Sequence, residues 1–257
     1  PVVNVREVGK PGGEEIRGSI VSQEGKIFLG SDMVSLESTT KRHYMYPHDP
    51  DYVEEMSHPD FDEHLDLAIH AGRATKEEVL KHVRGEISLK SIRDPFKTVN
   101  YSAIYGVGVP KLSREGGFSR SEASTLLTTY WERNWSVKVI AKEQYVKTLK
   151  DGTMWLKNPV SGFYHSLRFE KDIFSTLNQS TGVYCFDTFV AYCAAAGVEI
   201  PMQYHDEILA ECDDDEQSIK DTKERMQNAI TKTNEKVKLN VKLAIDVQTG
   251  YSYSEVH

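Results

Sequence analysis

Ile200-Pro201-Met202-Gln203-Tyr204-His205-Asp206-Glu207-Ile208-Leu209-Ala210 reads as two short apolar runs joined at a tight polar tip, the pattern of a β-hairpin. The tip carries two carboxylates, Asp206 and Glu207. Far upstream, Asp32 ends another strand-like run, Lys26-Ile27-Phe28-Leu29-Gly30-Ser31. Two carboxylates on neighbouring strands can hold two divalent cations about 3.5–4 Å apart, the arrangement used for in-line phosphoryl or nucleotidyl transfer. Each acid also has a plainer reading. Asp favours hairpin tips, and Asp32 could cap the helix that follows it.

Between the acids in sequence lie Arg93, Lys97, Tyr101 and Tyr105-Gly106. These side chains recur every four residues, so on a helix they form one slowly drifting stripe, roughly 18 Å long at 1.5 Å per residue. The order is chemical, with two cations first and two aromatics after. A nucleoside triphosphate laid along it would meet Arg93 and Lys97 with its phosphates and Tyr101 with its base. The helix is expected over about 93–106, with Pro95 in its first turn, where no amide donor is needed. Its N-terminus would then add positive dipole at the phosphate end. The plainer reading is a solvated cationic face followed by core aromatics. Gly106-Val107-Gly108 follows a helix rather than a strand, so it is not a dinucleotide fingerprint.

Asp32-Met33-Val34-Ser35-Leu36-Glu37 resembles motif A of the family A DNA polymerases. Arg93, Lys97, Tyr101 and Tyr105-Gly106 resemble motif B, and His205-Asp206-Glu207 resembles motif C. The three stand in the family's order. Asp62-Glu63-His64 is similar to the Asp-x-His segment ahead of motif B. Ser175-Thr176-Leu177-Asn178-Gln179 is similar to the helix that touches the primer-template minor groove. The likeness runs from about Asn4 to the terminal His257, which follows a strand-like Val241–Val247. The family includes bacterial DNA polymerase I, the mitochondrial replicase and the replicative polymerases of T-odd phages. The Tyr at position 101 and the short fingers tilt the likeness toward the phage enzymes.

What the resemblance implies is template-directed DNA synthesis. Asp32 and Asp206 would bind two Mg²⁺ ions, supported by Glu207. Arg93 and Lys97 would neutralise the triphosphate, Lys97 would protonate pyrophosphate, and His64 would join them. Tyr101 would stack by the incoming deoxynucleoside triphosphate, and Glu37 would exclude a ribose 2′-hydroxyl. Tyr105 and Gly106 would meet the template, while Gln179 and His205 would hold the primer end and minor groove of primer-template DNA. Lys171 stands where many relatives have arginine. Two other classes stay open: a single-subunit RNA polymerase, and a non-catalytic chain that binds primer-template or a partner. The family places a thumb and usually an exonuclease domain ahead of motif A. The 31 residues before Asp32 can fold neither, so an upstream polypeptide or N-terminal part is expected to supply them.

Composition bounds these readings. The 257 residues, 39% hydrophobic and 27% charged, suffice for a sizeable core in one or two lobes. With 31 basic against 39 acidic residues, net charge is −8. Nucleic-acid binders are more often basic, so any basic surface must be local. Acidic runs such as Asp213-Asp214-Asp215-Glu216 read as solvated loops and helix starts. Cys185, Cys193 and Cys212 lack metal-like spacing and read as reduced thiols of a cytosol-like compartment. A cytoplasmic, non-secreted chain is expected, in the host cytoplasm if phage-encoded. No apolar run reaches the roughly 18–20 residues of a membrane span, and no signal peptide is visible.

The predicted class is α+β: an antiparallel palm sheet backed by helices, with an inserted, mainly helical fingers lobe. The expected division is 1–46 palm with motif A, 47–165 fingers, and 166–257 palm with motif C. Residues 1–31 read as strands with a turn at Pro11-Gly12-Gly13. Ser119-Arg120-Ser121-Glu122 is a capping-box signature opening a helix to about Lys150. Asp151-Gly152 and Pro159 to Gly162 frame a hairpin, and 170–196 reads as a long helix.

Overall fold

The computed structural model describes residues 12–256; residues 1–11 and His257 lie outside the described residues. Residues through Thr40 together with those from Thr181 onward form one compact unit, and Lys41–Ser180 form the other. The first unit holds α1 (Gly13–Gly18), β1 (Lys26–Met33), the start of α2 (Leu36–Met45), most of α10 (Ile173–Ala195), β5 (Glu199–Tyr204), β6 (Glu207–Asp213), α11 (Glu216–Val237) and β7 (Ile245–Gly250). The second holds the rest of α2, then α3 (Pro50–Met56), α4 (Glu63–His70), α5 (Lys76–Val83), α6 (Lys90–Ile104), α7 (Val109–Gly116), α8 (Arg120–Arg133) and α9 (Trp135–Glu143). It is completed by β2 (Val146–Thr148), β3 (Met154–Lys157), β4 (Tyr164–Leu167) and the first turns of α10. The class is α+β. The sequence divides the chain after 46 and 165; the compact units divide inside α2 and inside α10.

The first unit is built on an antiparallel sheet in the order β5-β6-β1-β7. Alternate residues of a strand face opposite sides, and the two sides of β1 carry different loads. Leu29 and Met33 face a core shared with Ile208 and Ala210 of β6, with Phe186 and Phe189 of α10, and with Met226 and Ile230 of α11. Cys185 and Cys193 are buried in that core, where desolvation pushes each thiol up to about 12. On the other side, Phe28 packs with Leu209, Tyr253 and Val256. Pro201 sits in β5, an edge strand, where a missing amide is tolerated, and the β5–β6 register shifts between Glu199 and Met202.

The second unit buries one face of each helix. Phe96, Val99 and Ala103 of α6 meet Leu65 and Ala68 of α4, Leu112 of α7, and Leu126 and Tyr130 of α8. Starts are set by caps: Asp62 accepts from the amides of His64 and Leu65, and Thr75–Glu78 and Ser119–Glu122 form reciprocal capping boxes. Among the described residues, no helix is long and apolar enough to cross a membrane.

Several expectations need correction. Residues 13–18 are helical rather than a strand. The helix opened by Ser119 does not run to Lys150. It breaks at Asn134, whose backbone and side-chain amides both donate to the Tyr130 carbonyl, and α9 ends at Glu143. The expected hairpin is a three-stranded sheet, β2-β3-β4. The last strand is Ile245–Gly250 rather than Val241–Val247. Helix α6 starts at Lys90, because the carbonyl of buried Leu89 accepts from the amides of Ile92 and Arg93. Pro95 therefore lies inside the helix, and the amide end stands a turn ahead of Arg93.

Gly30 lies on β1 where the chain end crosses it. A Cβ there would stand 2.6 Å from the Val256 carbonyl oxygen and 2.8 Å from its Cβ. Backbone cannot swing aside as a flexible side chain can. Gly30→Ala is expected to cost about 1–3 kcal/mol, the range of overpacked cores. The check is the urea midpoint; an unchanged midpoint would show that the C-terminal segment does not hold this position.

Candidate active site

The register of β1 sets the acids. Asp32 is paired with Glu207 on β6 and, on its other side, with Asp246 on β7. Residues paired across antiparallel strands face the same side, so three acids form a row across the sheet. Asp206 completes the group from the hairpin tip, where its carbonyl accepts from the Met33 amide at 3.1 Å. Asp32 is open to solvent on one side. Burial on the other, with the charges of Asp206 and Asp246, pushes its carboxyl up to about 6. Burial also raises Glu207 to about 7, against the pull of Arg17 and with the push of Asp32 and Asp206.

Carboxylates held together against their own repulsion fit a divalent cation, which relieves both repulsion and desolvation. Asp32 and Asp206, the two expected ligands, both belong to this acidic group. Among the described residues, no group of three or more His, Cys, Asp or Glu side chains forms a ready metal cage.

The turn and the sheet floor are tightly made. His205 is left-handed at φ 53°, and its ring meets the Tyr204 ring edge-on at 4.3 Å between centroids. Arg17, buried to 2% exposure, lies over the Tyr253 ring at 4.5 Å and supplies the positive charge felt by Glu207. Glu37 stands in the first turn of α2, where its carbonyl accepts from the Thr40 hydroxyl.

In the second unit, α6 presents Arg93, Lys97, Tyr101 and Tyr105 on its outer side, while Phe96, Val99, Asn100 and Ala103 are buried. His64, from the first turn of α4, joins the stripe. Its ring lies 5.6 Å from that of Tyr101, and Lys97 Nζ stands 5.8 Å from the same Tyr101 ring. Arg93 Nε donates to Asp62 Oδ2 at 2.5 Å. Burial pushes the Asp62 carboxyl up, but Arg93 and the Leu65 amide outweigh it, and the net shift is downward. Lys97 makes no ion pair among the described residues.

Asn100 settles the proton on His64. Asn100 Nδ2 faces the carbonyls of Glu63 (3.2 Å) and Phe96 (3.3 Å), both acceptors only. This fixes the amide orientation. The same Nδ2 lies 3.1 Å from His64 Nδ1. The amide has two hydrogens for these three neighbours and its nitrogen accepts nothing, so a proton on Nδ1 would have no partner there, and the proton sits on Nε2. Burial lowers the His64 pKa, assisted by Arg93 and Lys97 and opposed by Glu63 and Asp62. The ring is thus a neutral donor through Nε2.

The stripe ends at a closed cap. Gly106 has φ 69°; its amide donates to the Ala103 carbonyl and that of Val107 to the Ser102 carbonyl, the Schellman arrangement. Beside it is a cavity of about 400 Å³ lined by Tyr101, Tyr105, Gly106, Gly108, Lys111 and Lys171. Gln179 Nε2 donates to the Tyr105 hydroxyl at 2.8 Å, so these two expected site residues share one surface.

Sequence reasoning missed Asp246, Arg17 and Asn100. Asp246 becomes visible only through register with Asp32. Arg17 sat in a segment read as strand. Asn100 lies in the middle of the stripe helix, one residue before Tyr101, on the buried side. The reading that a helix N-terminus faces the phosphate end is also corrected, since the Arg93 amide is already taken by Leu89.

The tautomer is directly measurable. In ¹⁵N spectra near neutral pH, His64 is expected to show an unprotonated Nδ1 and a protonated Nε2, and Asn100→Leu to erase that preference. A protonated Nδ1 in the unaltered chain would refute the assignment.

No family model matches the sequence. It is 23% identical to the thermostable DNA polymerase I of Thermus filiformis, over 96% of this chain and 29% of that protein. It is 30% identical to the DNA polymerase I of Helicobacter pylori, over 57% of this chain and 15% of that protein. The chain thus spans less than a third of the curated relatives it matches. Among solved structures, the fold is similar to the POL domain of Pol1 from M. smegmatis, in complex with DNA primer-template and dNTP. The TM-score is 0.72 at 19% identity, covering 99% of this chain and 45% of that one. The chain is thus similar in sequence to bacterial DNA polymerase I along nearly its whole length, and it shares the fold of a DNA polymerase I POL domain.

Proposed function

We propose that the chain carries out template-directed DNA synthesis, adding deoxynucleoside triphosphates to a primer 3′ end. The observation that carries the reading is the pairing of Asp32 with Glu207, which sets Asp206 beside it. In this reading the unit built on β1, β5, β6 and β7 is the palm and Lys41–Ser180 is the fingers. An upstream thumb and exonuclease part belongs to the working enzyme.

The palm residues hold the reacting oxygens. Asp32 and Asp206 are the ligands for two Mg²⁺ ions, with Glu207 behind them, held between Arg17 and the other acids. When bound, the ions lower the pKa of the primer 3′-hydroxyl and neutralise charge on the triphosphate and departing pyrophosphate. His205 and Gln179 contact the primer end and minor groove.

The fingers residues hold the triphosphate. Arg93, already aimed by Asp62, gives a planar cation for phosphate oxygens. Lys97 adds a compact charge and a proton for the leaving pyrophosphate. His64 donates from Nε2 without adding charge. Tyr101 stacks by base and sugar. The cavity beside Tyr105 and Gly106 receives a template base, with Lys111 and Lys171 near its phosphates. Glu37 crowds the ribose 2′ position.

Asp32→Asn or Asp206→Asn is expected to lower single-nucleotide incorporation about a thousandfold or more while the fold persists, since each removes a charged ligand from the transition-state site. Near-normal extension by either, in preparations free of host polymerase, would refute the reading.

Glu37→Ala is expected to admit ribonucleotides and narrow the deoxy-to-ribo preference. The measurement is the ratio of incorporation efficiencies. An unchanged ratio would remove Glu37 from the sugar, and a chain that prefers ribonucleotides from the outset would be an RNA polymerase.

A further inference from the structure

The sheet β2-β3-β4 has two unlike faces. Pairing sets Val146 against Leu156 and Leu156 against His165, and Met154 against Leu167. Leu156 and Leu167 bury the centre of that face, at 0% and 8% exposure, and Val146, Met154 and His165 are half-buried around them. The opposite face follows from the same register: Lys147 against Trp155, Trp155 against Ser166, and Lys157 against Tyr164. Tyr145 extends it, its carbonyl accepting from the Lys157 amide. Tyr145 is 60% exposed and Tyr164 47%. Lys147 and Lys157 are exposed and Trp155 is half-buried.

Two exposed tyrosine rings and two lysines thus share this face with a half-buried Trp155, whose indole nitrogen is enclosed, and no acidic residue occupies its register positions. In a chain of net charge −8, so local a positive aromatic surface is selective. Its chemistry matches a chain of bases on an anionic backbone. Rings stack on bases whatever their identity, and lysines track phosphates. A duplex hides its base faces and would gain only the lysine contacts.

We propose that the β2-β3-β4 face is a stacking platform for single-stranded DNA, with Tyr145, Trp155 and Tyr164 taking bases and Lys147 and Lys157 taking phosphates. The proposed polymerase function enters only in naming the strand, which would be unpaired template.

The test uses the full chain and a fluorescein-labelled oligo(dT) of about 12 nucleotides, within the site sizes of such surfaces. Anisotropy is expected to show Tyr145→Ala and Tyr164→Ala each weakening binding about five- to a hundredfold. Tyr164→Phe keeps the ring and is expected to keep the affinity. Lys147→Gln and Lys157→Gln are each expected to lower the salt slope by about 0.7. Trp135→Ala, an exposed ring on α9 (46% exposed), serves as control. Binding by Tyr145→Ala and Tyr164→Ala equal to the unaltered chain, or an equal loss in Trp135→Ala, would overturn the platform. So would binding of oligo(rU) alone. Incorporation opposite a single overhanging template base separates the two readings. If it proceeds while the tyrosine variants bind oligo(dT) normally, only the platform fails. If strand binding depends on the face but no nucleotide is added even when the upstream thumb-bearing part is supplied, the platform stands and the polymerase reading fails.

Discussion

Strand β1 is hydrogen-bonded on both edges, to β6 and to β7, and its register cannot slip without turning Leu29 and Met33 out of the core. That one pairing determines which side chains stand next to Asp32. Slipping by one residue would replace the row Glu207–Asp32–Asp246 by Ile208 or Val247 neighbours and bury the acid instead. The core below, supplied by α10 and α11, therefore enforces the chemistry above: its apolar area makes the register costly to break, and the register assembles the charges.

Those charges work against folding. Asp32 and Glu207 both hold their protons more tightly than free carboxyls do, first because of burial and then because of nearby acids, Asp206 and Asp246 for Asp32 and Asp32 and Asp206 for Glu207. A sheet without them would be easier to fold. The first unit offsets the strain locally, with Arg17 facing Glu207 from α1 and with the Met33 amide anchoring the Asp206 carbonyl. The second unit uses the opposite arrangement. Its cations Arg93 and Lys97 are kept near the surface, and only Arg93 is neutralised, by Asp62.

The sequence made the hairpin at Tyr204–Glu207, the strand ending near Asp32 and the outer stripe of α6 legible, because each rests on local periodicity or turn chemistry. The capping box at Ser119 was legible for the same reason. What escaped depended on tertiary pairing. Asp246 has no local mark and becomes relevant only across a strand pair. Asn100 reads as one polar residue on a buried helix face until α4 brings His64 and the Glu63 carbonyl to it. The start of α6 was misread because Pro95 looked like a helix opener, whereas buried Leu89 supplies the first acceptor. The break at Asn134 was missed because a buried amide that bonds back to Tyr130 leaves no pattern in the chain.

The left-handed backbone at His205 has an evolutionary consequence. A branched or bulky aliphatic residue there would meet a steric penalty before any function was tested, whereas Gly, Asn, Asp and His tolerate the conformation. The edge-on contact with Tyr204 narrows the choice again, since glycine would lose the ring and the small polar residues would leave it bare. Drift at position 205 is therefore coupled to position 204, and neutral change should cross this turn as pairs of substitutions rather than one at a time.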